Sequence, residues 1–192
     1  MNAAVRAQAI LVDPIAEWAK IETEPSDAVH LLVSYVALLA LVPALSSLIG
    51  ACVIGVVVPG TGTIRAPLLN GLFGAVFSYV MTCASVVVLG LVINALAPVF
   101  ASQRGFDRAF KLAAYSYTPF WLTGIFLLAP GLHFLVLAGF YGVYLLWTGL
   151  PPLMRTPEPK VPAYTAVITA CACVLTLIVA GTHHALFGLS KF

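Results

Sequence analysis

Charged residues in this chain occur in clusters separated by long uncharged intervals. None lies between Asp27 and Arg65, between Arg65 and Arg104, between Lys111 and Arg155, or between Lys160 and Lys191. A helix rising 1.5 Å per residue needs about 20 apolar residues to cross about 30 Å of hydrocarbon. The first interval predicts a span over 29–58, kinked at Pro43 and closed by the turn-forming run Pro59-Gly60-Thr61-Gly62-Thr63. The second predicts a span over 68–98. The third has room for two spans, 110–129 and 132–150, divided at Pro130-Gly131 into a tight antiparallel helical hairpin. Pro151-Pro152 and Pro157-Glu158-Pro159 then predict a rigid connector that ends the fourth helix, before a last span over 163–187. Barrel strands would alternate polar and apolar residues, and these runs do not. The expected fold is all-α, a membrane bundle of five transmembrane helices.

Composition narrows the class further. Of 192 residues, 61% are hydrophobic and 8% charged, with a mean hydropathy of +1.05. A soluble domain carries about 25% charge. The scarcity of charge excludes a soluble enzyme, a basic nucleic-acid binder and a disordered chain, and leaves the lipid bilayer as the principal partner. Placing the N-terminus and the second and fourth loops in the cytoplasm puts Arg6, Lys20, Arg104, Arg108, Lys111, Arg155 and Lys160 there. Only Arg65 and Lys191 fall on the other face. Positive residues concentrate on the cytoplasmic side, so the N-terminus is expected inside and the C-terminus outside. The chain then divides into a cytoplasmic tail, 1–28, and a five-helix membrane domain, 29–192. Within the tail, Asp13 reads as an N-cap and Pro14 as the first residue of a short amphipathic helix near 14–22. That helix is expected at the interface, with Trp18 at headgroup depth, or else as part of a solvated tail. A cleaved signal peptide is not expected, because Asp13-Pro14 interrupts the only short apolar run after Arg6.

Little in the sequence points to catalysis. Cys52, Cys83, Cys171 and Cys173 fall inside spans without zinc or thioredoxin spacing. All seven acids map to cytoplasmic segments, so no intramembrane carboxylate pair can form. His30, His133 and His183-His184 sit near helix ends, and adjacent histidines diverge by about 100° on a helix. No catalytic, metal or cofactor residue is nominated, and no cofactor is expected. The nominated residues concern packing. Ser47, Ala51 and Gly55 form a small-xxx-small ladder in the first span; Gly142 and Gly149 share a face of the fourth. Tyr115 and Tyr117 precede Pro119 in a dense aromatic stretch that reads as a kink within an interfacial belt, or as the lining of a groove between helices. Residues 1–28 carry a net charge of −3 and the two internal loops +3. This complementarity suggests that the tail folds back over the loops, or that the loops meet anionic lipid while the tail recruits a partner.

The pattern Pro14…Trp18…Ile21-Glu22…Glu24-Pro25 ahead of five spans resembles bacterial Yip1-domain proteins. So does Tyr115-Ser116-Tyr117-Thr118-Pro119. The stretch Tyr141-Gly142-Val143-Tyr144-Leu145-Leu146-Trp147-Thr148-Gly149-Leu150-Pro151-Pro152-Leu153-Met154-Arg155-Thr156-Pro157, with Lys160 and Tyr164, is similar to that family's fourth span and its exit. The resemblance implies a five-helix bundle with a cytoplasmic N-terminus and carries over no catalytic residue. Eukaryotic members sit in ER and Golgi membranes and associate with Rab GTPases, and the compact tail here points to a bacterial inner membrane instead. Two functions remain open. One is a non-enzymatic integral membrane protein that binds or organises other membrane proteins or copies of itself. The other is a small permease or channel for a neutral solute, with a path near Tyr115, Tyr117 and Asn94.

Overall fold

The computed structural model describes residues 2–25, 27–58 and 62–187. Pro59, Gly60 and Thr61 of the expected turn, and Lys191, lie outside the described residues. Four helical segments are long and apolar enough to cross a membrane: Ala28–Ile54, Leu68–Leu96, Gly131–Met154 and Glu158–Phe187. Many of their large apolar side chains point outward, among them Leu38, Leu72, Phe73, Val76, Leu177 and Ile178. Water would not tolerate such a surface; hydrocarbon would.

Two short helices come first, α1 (Ala3–Val12) and α2 (Pro14–Thr23). Asp13 makes the turn between them, its carboxylate accepting from Ala16 N–H at 3.1 Å, and Pro14 opens α2 where its missing N–H costs nothing. Helix α3 (Ala28–Ile54) follows, loosened into π-helical turns at Leu32–Val36 and Gly50–Ile54. It stops at Ile54, short of the expected 58, because Gly55 takes a φ of 82° and turns the chain into a hairpin of β1 (Val56–Val58) and β2 (Gly62–Ile64). Helix α4 (Leu68–Leu96) is uninterrupted.

The expected third span, 110–129, is a broken segment. It comprises α5 (Phe106–Ser116), α6 (Thr118–Thr123) and a 3-10 stretch, Gly124–Leu128. Pro119 has no N–H to give the carbonyl four residues back, and the α-helical ladder parts at Tyr117. Ala129 is extended, and the chain returns through a second 3-10 stretch, Pro130–Phe140, into α7 (Tyr141–Met154). Here the expectation that Pro151-Pro152 ends the fourth helix fails. Both prolines lie inside α7, which runs on to Met154. Leu153 and Met154 are buried, and that packing holds the last turn helical until Arg155 leaves it in the left-handed region at φ 52°. The last helix, α8 (Val161–Phe187), completes the chain.

The buried core is displaced toward one end. It gathers Val36 and Leu39 of α3, Leu89 and Ile93 of α4, Phe110 and Leu112 of α5, Leu145 and Leu150 of α7, and Tyr164 and Ile168 of α8. Ile10, Trp18 and Ile21 of the first two helices belong to the same cluster. Trp18, expected at headgroup depth, is 1% exposed. A helix with an apolar face has a drier partner than the interface when bundle helices offer a glycine groove, and α7 offers one at Gly149.

Candidate functional site

Three contacts fix how the N-terminal hairpin lies. Tyr141 hydroxyl donates to the Leu11 carbonyl at 3.2 Å, Trp18 Nε1 donates to Thr148 Oγ1 at 3.2 Å, and Arg155 meets Glu22 at 2.6 Å. Partners therefore advance together along both helices, so α2 runs parallel to α7 over its length. The tail lies on the bundle with the turn between α1 and α2 beside Tyr141, and among the described residues Arg155–Glu22 is the one ion pair that joins a tail acid to an internal-loop base. Val12 and Ile15 of that turn are 78% and 69% exposed.

Beneath the hairpin is a buried charged cluster. Arg6 bonds to both Glu17 and Glu24, and Lys20 adds a 3.0 Å contact to Glu17, whose side chain is only 2% exposed. Burial works against the Arg6 charge. The hydrogen bond to Glu24, with the charges of Glu24 and Glu17, outweighs it and holds the guanidinium pKa above its ordinary value. Lys111 donates from Nζ to the carbonyls of Ile21 at 3.1 Å and Glu24 at 2.7 Å, a cation on the carbonyls at the C-terminus of α2. Tyr115 sits at the centre. Its ring meets Tyr35 at 4.8 Å and Trp18 at 6.1 Å, both edge-on, with the Arg6 guanidinium 5.9 Å from its centroid. Tyr35 and Thr118 share a 2.7 Å hydroxyl contact. A small polar cleft of about 150 Å³ opens here between Arg6, Glu24, Asp27, His30 and Lys111.

Tyr117 faces elsewhere. It lines a groove of about 430 Å³ between α5–α6, the second 3-10 stretch, α7 and α8. Pro119, buried in the first turn of α6, marks the break that opens it. Gly142 lies in the wall, where an added Cβ would come within 2.4 Å of the Ser116 carbonyl oxygen. Gly149 makes the equivalent contact higher up, 2.6 Å from Leu112 Cδ1 and 2.7 Å from Trp18 Cε2. Asn94 joins neither site, since its Oδ1 accepts from Gly105 N–H at 2.9 Å. Tyr115, Tyr117 and Asn94 therefore do not line one polar path.

The first-span ladder is distributed differently from its spacing. Ser47 Oγ bonds to its own helix at the Ala44 carbonyl, Ala51 carbonyl receives Ala66 N–H from beyond the β-hairpin, and Gly55 forms the helix end. Close approach occurs one position earlier. Gly50 stands 2.3 Å, by its would-be Cβ, from the Leu127 carbonyl, and Gly124 meets Pro43 in the same way at 2.6 Å. Sequence reasoning missed Gly50, Gly124 and the Arg6 cluster. The available signal was Arg6 itself, which shares a helix face with Ile10 rather than opposing it. Among the described residues no group of three or more His, Cys, Asp or Glu is placed to hold a metal.

A family model for the Yip1 domain matches residues 9–181, which takes in α2, the groove and the whole charged cluster except Arg6. The chain belongs to the Yip1-domain family. It is 28% identical over 186 residues to inner membrane protein YohC of Escherichia coli K12, covering 91% of this chain and 95% of the relative. The same protein from Escherichia coli O6:H1 matches to the same extent. No solved structure matches this Yip1-domain chain. As a family member with four spanning-length apolar helices, it is a multi-pass membrane protein.

Proposed function

We propose that this Yip1-domain chain is a non-enzymatic protein of the bacterial inner membrane that binds or organises other membrane proteins, or further copies of itself, at its charged end. In this reading the broken α5–α6 segment is a fifth span beside the four long ones. The N-terminus is cytoplasmic, and the C-terminus lies on the opposite side. The name of the Escherichia coli relative supports the inner membrane, and the distribution of basic residues supports the orientation.

The observation that carries the proposal is the way charge is used at that end. Arg6, Glu17 and Glu24 are spent inward, fastening α1 to α2, and Lys111 of α5 holds the carbonyls at the end of α2. Arg104, Arg108 and Lys160 stay exposed beside this cluster, interspersed with exposed Asp107 and Glu158, and make a charged rim with an excess of base. The packing glycines Gly142 and Gly149 serve this end by letting α5 and α2 come close, and Ser47, Ala51 and Gly55 lie at the far end. Photo-crosslinking in native membrane from positions 104 and 108 tests the proposal. Discrete protein adducts at these positions, absent from position 177, are expected. Diffuse lipid adducts at all three, together with solute flux in proteoliposomes, would replace the proposal with the permease reading.

A further inference from the structure

The register of the N-terminal hairpin against the spanning helices sets its depth. Helix α4, of 29 residues, is about 42 Å long, the thickness of a bilayer with its headgroups. Its Gly90, about 33 Å from the Leu68 end, packs against Phe110 of α5. Six residues further along α5, about 9 Å deeper, the Ser116 carbonyl meets Gly142, the neighbour of Tyr141. Tyr141 in turn holds the Leu11 carbonyl. The turn at Asp13 therefore lies level with the middle of α4. The base of the hairpin gives the same depth from the other direction. Glu22, paired with exposed Arg155 where α7 ends, stands nine residues from Asp13, about 14 Å, against about 15 Å for half the hydrocarbon.

Backbone and surface suit that depth. A turn between helices leaves N–H and C=O groups open, and hydrocarbon offers them nothing. Here Pro14 brings no N–H, Asp13 N–H goes to the Ala9 carbonyl, Glu17 N–H to the Asp13 carbonyl, and Ala16 N–H to the Asp13 carboxylate. The Leu11 carbonyl, left over at the end of α1, takes the Tyr141 hydroxyl. Exposed residues change character with distance from the turn. Along α2 they run Ile15, Ala16, Ala19, then Lys20, Glu22 and Thr23. Helix α1 shows no charge on its outward face, because Arg6 is turned inward. A hairpin lying in water would carry its polar residues at the tip rather than at the base. Asp13, the one ionisable group in residues 9–16, is spent on the positive end of α2. We infer that α1 and α2 are a re-entrant hairpin, which enters the leaflet at the charged end, turns near the bilayer midplane and presents Val12, Ile15 and Ala16 to acyl chains. This holds whichever side of the membrane that end faces, and it needs no partner at the charged rim.

The test uses the full chain in vesicles of phosphatidylethanolamine and phosphatidylglycerol, with two probes read by mass spectrometry. One is a phospholipid with a diazirine at the tip of an acyl chain, the other hydroxyl radicals made in the water. The acyl-chain probe is expected to label residues 12–16 within about twofold of Val80, which is exposed near the middle of α4. Radicals should modify Val12 and Ile15 about tenfold less than in the unfolded chain, and exposed Pro25 almost as much as there. Ile15→Asp separates water from lipid by sign. An acid in the first turn of α2 favours the helix in water and is costly among acyl chains. Amides of α1 and α2 should therefore exchange about tenfold faster in this variant, while those of α7 are unchanged. Radical modification of the wild-type tip at the level of Pro25 would overturn the inference, because water would reach it. Shielding from both probes would overturn it too, by placing a second protein chain over the tip. So would exchange in Ile15→Asp that is unchanged or slower.

Discussion

The two ends of this bundle are built on different principles. At the charged end the helices are wedged together by large rings and pinned by ion pairs, and an extra pair of helices closes the side. At the other end α4 and α8 show leucine, valine and phenylalanine to the surroundings, and contact rests on a few rings such as Phe77, His183 and Phe187. Bilayer hydrocarbon can solvate the second end by itself. It cannot solvate Arg6, Glu17 or the carbonyls at the C-terminus of α2, so the first end must satisfy them within the protein. One end is held by lipid as much as by protein, the other by protein alone.

Substitutions that sharpen this contrast can be ranked by effect. Arg6→Met leaves Glu17 buried without its guanidinium and should destabilise the chain by about 3–5 kcal/mol, measured by unfolding in mixed detergent. The matched change at the other end, His183→Met, should cost far less. Gly149→Val drives a side chain into Leu112 and Trp18 and should cost about 1–3 kcal/mol. Gly181→Val, where an added Cβ meets nothing within 4 Å, should be close to neutral. Equal effects at the two glycines would break the comparison. Tyr35→Phe removes one buried hydroxyl contact to Thr118 and should cost about 0.5–1.5 kcal/mol. Arg155→Ala, which breaks an exposed pair to Glu22, should change stability by less than about 1 kcal/mol, detectable as faster proteolysis of the hairpin if at all.

What could be read from the sequence follows the same division. Charge-free intervals located the long helices to within a few residues at most of their ends, because the cost of charge in lipid leaves a signal in every residue. Orientation of the helix faces was not legible. A helix such as α4 is apolar all round, so its sequence has no period to say which side meets protein. The ladder at Ser47, Ala51 and Gly55 shows the consequence: small residues were found at the right spacing, while close packing settled on Gly50 and on Gly124 opposite Pro43. The packing partner of Trp18 was not legible for a related reason. An amphipathic helix has the same pattern whether its apolar face meets lipid headgroups or Gly149 on a neighbouring helix. Tyr115 and Pro119 were legible as unusual, but only the fold separates Tyr115, in the charged cluster, from Tyr117, in the groove.

Amide hydrogen exchange of the lipid-reconstituted chain tests the central claim most directly, that α1 and α2 are a fixed part of the bundle. The account predicts that amides from Arg6 to Ile21 exchange as slowly as those of α7 and together with them. Exchange of that segment within seconds, at the rate of an unstructured peptide while α7 stays protected, would contradict it.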